Sequence, residues 1–246
     1  MRGQKSIYNY KLTLLIVLLA VMWVMPLQAA LVTQSASAPV TDVVISQTSA
    51  DSSLPWRWTA AAGVDNNPRD VGQSFLVGPD GMTLDAITVR INSLGSADFD
   101  SGSMTVSLFT LTDSTDFTPD TIVATESGLL PSNMKASFDA GDTYLTFDIA
   151  DVVLSANTQY GFLLMHDAEV SGANMLLDTK SHSAYTDGTA IQRYNRGTAG
   201  DTYLQGQVWI GGFQPADLRF YLQEVPEPAT LALLGLGGLL LRRKKC

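Results

Sequence analysis

The chain has 246 residues, 46% of them hydrophobic and 16% charged, with a net charge of −9 and a single Cys. That length fits one domain with a core large enough to hold itself together. One Cys excludes an intramolecular disulfide and a Cys-rich zinc framework. The acidic balance excludes sequence-independent nucleic-acid binding, which needs Lys and Arg to neutralise phosphates.

The average charge conceals three segments. Residues 1–30 carry Arg2, Lys5 and Lys11 and no acid; the body, 31–223, carries eight basic and 22 acidic side chains; the last stretch, 224–246, carries four basic and two acidic ones. The first segment reads as a secretory signal peptide. Basic residues come first, an uncharged apolar run follows over 12–24, and Pro26 and the small pair Ala29-Ala30 come after it. Cleavage is expected after Ala29 or Ala30. The run is short of the roughly 20 residues that a bilayer-spanning helix needs, which disfavours the other reading, an uncleaved anchor. Small residues over 31–40 read as a linker.

The body, 41–223, contains no amphipathic helical pattern and many short stretches of period-2 alternation bounded by turn residues. In chain order the expected strands are 42–47, 56–61, 73–77, 87–92, 103–108, 121–125, 143–149, 159–165, 174–177, 190–194, 203–210 and 217–222. The clearest inward sets are Met104, Val106 and Leu108; Leu145, Phe147 and Ile149; and Leu218, Phe220 and Leu222. Pro79-Asp80-Gly81 marks a turn, since Pro fixes φ and Gly accepts a positive one. The expected fold is all-β, two packed antiparallel sheets in a β-sandwich or jelly roll. No fixed internal period points to a propeller or solenoid.

Chemistry is sparse in this body. No G-x-S-x-G nucleophile elbow and no HExxH exists, and His166 and His182 are the only imidazoles. Glu126 and Glu169 are the only body Glu, and the many Asp lie in turn-like contexts, where they cap their own backbone. A glycosidase pair is therefore not expected. Two oxygen-rich clusters are candidate calcium ligands: Asp65, Asn67 and Asp70 in one, Asp98 and Asp100 in the other. Neither has the register of an EF-hand, and ordinary turn capping is the competing reading. Trp56 and Trp58, two apart, would share one strand face, and with Trp209 they are candidates for a carbohydrate platform; core packing is the competing reading.

The stretch 224–246 inverts the logic of the N-terminus. Pro226-Glu227-Pro228 is stiff and non-helical. The uncharged run 229–241 follows, then Arg242, Arg243, Lys244 and Lys245, which should stay cytoplasmic. As a helix the run would reach about 20 Å, short of a hydrocarbon core about 30 Å thick, and the snorkelling basic side chains narrow the difference. Cys246 would leave with this tail.

Pro-Glu-Pro, an apolar Gly-rich run and a terminal basic cluster, in that order, resemble the PEP-CTERM protein-sorting signal, also called the ice-binding protein C-terminal domain. The resemblance implies export and recognition by a membrane exosortase. That enzyme would cut near Pro226-Glu227-Pro228 and pass the protein to the cell surface or extracellular matrix, in company with exopolysaccharide and biofilm production. Nothing in the body points to ice binding. Gly72-Gln73-Ser74-Phe75, the stretch 84–90, Val106-Ser107-Leu108-Phe109 and the stretch 154–160 resemble a choice-of-anchor domain of the R type, a β-rich extracellular module without enzymatic activity. The expectation is an exported, non-enzymatic surface or matrix protein with a structural or adhesive body. The alternative is a module that binds exopolysaccharide, with calcium as its one candidate cofactor.

Overall fold

The computed structural model describes residues 32–57, 69–94, 103–113, 115–166, 174–182, 185–194, 201–210 and 212–225, all within the unit Leu31–Cys246. These residues form fifteen strands and one short helix. The strands are β1 (Val32–Ser35), β2 (Val43–Gln47), β3 (Ser52–Arg57), β4 (Arg69–Leu76), β5 (Met82–Leu94), β6 (Ser103–Thr110), β7 (Thr121–Leu129), β8 (Tyr144–Leu154), β9 (Gln159–His166), β10 (Asn174–Ser181), β11 (Ala190–Tyr194), β12 (Thr202–Gln205), β13 (Gln207–Trp209), β14 (Phe213–Leu218) and β15 (Phe220–Glu224); the helix is α1 (Met134–Asp139).

Every pairing is antiparallel. The first sheet runs β1-β8-β5-β15-β2. The second runs β7-β6-β9-β4 and then forks. One branch, β11 and β12, continues from residues 69–73 of β4. The other begins with β3, which meets β4 through the single pair Arg57–Arg69, and carries β10, β14 and β13. β5 is long enough to serve both sheets: its first part pairs with β8 and β15, and its last residues pair with β10.

The expected alternation is what builds the core. Leu145, Phe147 and Phe220 from the first sheet meet Trp56, Phe75 and Phe162 from the second, each with 0% exposure. A second, smaller cluster of Phe109, Leu111, Leu163 and Ile191 lies apart from it, with Phe117 and Tyr203 packed against it. Gly161 belongs here because a Cβ at that position would sit 2.6 Å from the Phe109 ring. The all-β, two-sheet expectation holds.

Three details differ. Residues 32–35, expected as linker, form a strand: Val32 is buried against Phe147, and the Gln34 amide donates to the carbonyls of Met134 and Asp142 at 3.2 and 2.8 Å. Residues 134–139, with no expected helix, form α1, whose Met134 and Phe138 pack on the core four residues apart. The expected strands 203–210 and 217–222 are each two strands, broken at Gly206 and Arg219. At Arg219 the chain leaves one sheet for the other: its N–H goes to Asp178 O at 2.8 Å, and its carbonyl accepts from Arg90 N. Leu218, Phe220 and Leu222 stay inward across that break. Among the described residues no helix is long and apolar enough to cross a membrane; the stretches 12–24 and 229–241 lie outside them.

Candidate functional site

The described surface includes two grooves of several hundred Å³. The first follows from the sheet crossover at Arg219. Asp51, Arg90, Asn92, Asp178 and Arg219 line about 430 Å³ there. Asp178 is 2% exposed, accepts from Asn92 Nδ2 at 2.8 Å, and pairs with Arg90 and Arg219. Both guanidinium groups lie over the Tyr144 ring, at 5.8 and 5.6 Å from its centroid. Asp51 accepts from the Lys180 ammonium and from the N–H and hydroxyl of Ser181, and these bonds hold its carboxyl below the usual carboxylate range. The two acids share a groove, yet each already has its cations and donors in place. This is a clamp that ties β5, β10 and the β14–β15 crossover.

The second groove lies in the fork of the second sheet, and about 460 Å³ is enclosed there. Arg69 of β4 stands directly opposite Tyr194 of β11, and its guanidinium lies 4.8 Å from the Tyr194 ring centroid. Gln192, two residues before Tyr194, shares its strand face, as Arg69 shares the face of core residue Val71. Leu204 and Gln205 come from β12, Gln207 from β13 and Phe213 from β14. The two branches join at the base, where Gly206 N donates to Ala190 O at 2.8 Å and Ala216 N donates to Gly206 O at 3.0 Å. A side chain at Gly206 would bring a Cβ within 2.7 Å of that of Ala190. The backbone therefore needs glycine here for the branches to close.

The groove's chemistry is mixed. Phe213 is 70% exposed and Leu204 is 49% exposed. Gln192 is 3% exposed; its Oε1 accepts from the Tyr194 hydroxyl at 3.0 Å, and its Nε2 has no protein partner. Arg69 Nε is likewise buried without a partner. The described lining residues include no carboxylate, in a body with 22 acids.

Trp56 is a core residue with 0% exposure, so its ring cannot serve as a sugar platform. Trp58 lies outside the described residues. Trp209 stands opposite Phe213 in the β13–β14 ladder. Asp70 is 1% exposed and bound to Arg193, whose Nε reaches it at 2.7 Å, so it is an ion-pair partner and not a loop ligand for calcium. Burial works against the Arg193 charge, but Asp70 and the Tyr203 hydroxyl outweigh it and raise its pKa above the ordinary arginine value. Asp65, Asn67, Asp98 and Asp100 lie outside the described residues, as do Pro226, Glu227, Pro228 and Arg242 to Lys245. Among the described residues no three His, Cys, Asp or Glu side chains gather in a way that could hold a metal. Arg69, Gln192, Tyr194 and Phe213 did not stand out in the sequence. The one available signal was Gln192, a polar residue on the strand face shared by Ala190 and Tyr194.

The fold runs up to the sorting segment without a spacer. β15 ends at Glu224, whose N–H donates to Asp42 O at 2.9 Å, and Val225 N donates to Thr83 O at 3.1 Å. From Glu224 onward, residues 224–245 match the model of the PEP-CTERM protein-sorting motif. The chain carries a PEP-CTERM motif. The match covers the expected Pro-Glu-Pro, apolar run and basic cluster, and it places the chain on a route of export, transient membrane association and exosortase-dependent sorting toward the cell surface. No curated protein matches the chain.

Proposed function

We propose that the β domain is a non-enzymatic surface module, structural or adhesive, that exosortase processing delivers to the cell exterior. The observation that carries this reading is the abutment of β15 and the PEP-CTERM motif. A cut near Pro226-Glu227-Pro228 falls just beyond the last ladder bond, so every described strand remains with the released domain. Two arrangements support a non-catalytic body. Asp51 and Asp178, the acids that share a groove, are both engaged in ion pairs, and the second groove is lined by amides, aromatics, Leu204 and one arginine. General acid–base chemistry needs a group poised to give or take a proton, and neither arrangement supplies one.

Deleting residues 226–246 tests the sorting half. The truncated chain should be exported yet lost from the cell surface, and intact mass of the full-length gene product should show both ends trimmed. Surface delivery that survives the deletion would overturn the reading.

A further inference from the structure

From the fork groove we infer a saccharide-binding site, built to take a pyranose ring that presents hydroxyl or carboxylate oxygens. The inference names a ligand for the adhesive role proposed above and rests on that reading. Three features converge on it.

The first is shape and surface. About 460 Å³ accommodates a ring of that size, and the groove offers the aromatic rings of Tyr194 and Phe213 beside the amides of Gln205 and Gln207. Sugars present C–H groups on one face and hydroxyls around the rim, and aromatic faces beside amide groups match both. The second feature is the pair of buried donors. Gln192 and Arg69 both line the groove; Gln192 is 97% buried, its Oε1 is occupied by Tyr194, and its Nε2, like Arg69 Nε, is buried without a protein acceptor. A buried donor without a partner is costly, and here both such groups are donors, so the missing partner is an acceptor. The third feature is charge. In a body at −14 the described lining residues contain Arg69 and no carboxylate, so a ligand oxygen meets no fixed negative charge there.

Neutral hexose units and uronate units both supply the acceptor oxygens, and the test separates them. The full chain, purified in detergent, is presented to arrays of neutral and of uronate oligosaccharides, together with the variants Phe213→Ala, Gln192→Leu and Leu129→Ala. Phe213 is 70% exposed, and Gln192→Leu removes the unpartnered Nε2 together with the Oε1 that accepts from the Tyr194 hydroxyl, so the melting temperature of both variants is read beside their binding. Binding on either array should weaken at least about tenfold in Phe213→Ala and Gln192→Leu and stay unchanged in Leu129→Ala, a distant exposed position on β7. The array that responds identifies the ligand's charge. Absence of binding on both arrays overturns the inference, as does binding that neither groove variant weakens. Either failure leaves the sorting deletion unaffected, so the two readings fall separately.

Discussion

Asp70 and Arg193 face one another across the β4–β11 ladder, with 2% and 12% of their side chains exposed. A buried pair of this kind is expensive to assemble and more expensive to break, because the survivor keeps its charge without a partner. Asp70→Asn should cost about 3 kcal/mol of stability in urea unfolding. The cost should be the same with and without a calcium chelator, since the carboxylate answers to Arg193. Asp85 and Asp148 present the opposite case on the first sheet. Burial raises both carboxyl pKa values, and neighbouring acids add to it: Asp148, Asp151 and Asp42 around Asp85, and Asp151 beside Asp148. A folded pKa above the unfolded one means that the native state binds the proton more readily. Stability therefore falls as pH rises from the ordinary Asp value of about 3.9 through the raised one, and stays lower above it. Asp148→Asn should then gain a few tenths of a kcal/mol at neutral pH after allowance for solvent screening. The gain should vanish near pH 3, and a pH series of urea midpoints reads both ends.

Elements were legible in the sequence where alternation was strong and unbroken. β6, residues 145–149 of β8 and residues 160–164 of β9 carry apolar residues at every second position, and burial of that face is enough to fix them. β1 was hidden because Val32 is its one buried apolar residue; its place depends on a ladder with β8 and on two bonds from Gln34 to a segment about a hundred residues away. Gln34→Ala should therefore cost about 1–2 kcal/mol, which chemical denaturation can measure; a linker residue would cost nothing. α1 is a single turn and a half, too short for a helical period to register. The candidate site was less legible than the fold. Its residues come from five strands, and what joins them is the fork at β4, a feature of topology that no local pattern announces. Trp56 shows the reverse. An isolated Trp looks the same in a sequence whether it packs a core or cradles a ligand, and only its neighbours Met175 and Leu54 decide.

At the scale of the whole molecule, the −9 of the chain separates into a body at −14 and two basic ends on the export route. Such a field disperses the domain and opposes the approach of polyanions. Any affinity for uronate oligosaccharides should rise between about 0.01 M and about 0.15 M salt, as screening shortens from roughly 30 Å to 8 Å. A protein that binds anions through a basic surface would show the opposite slope. Titration calorimetry at the two salt concentrations gives the sign directly.

The crossover at Arg219 also has a mechanical meaning. Phe213, at the groove, and Glu224, where the PEP-CTERM motif begins, lie on one short run of chain, β14 followed by β15. While the motif holds the protein in the membrane, a tug on anything seated against Phe213 travels to the anchor along that run, without crossing the rest of the sandwich. β15 is held on both sides, by β2 and β5, and β14 by β10 and β13, so the load is spread over four ladders at once. The salt bridges of Asp178 with Arg90 and Arg219 sit at the splice between the two strands. They act as a rivet where a pulled strand would otherwise begin to peel.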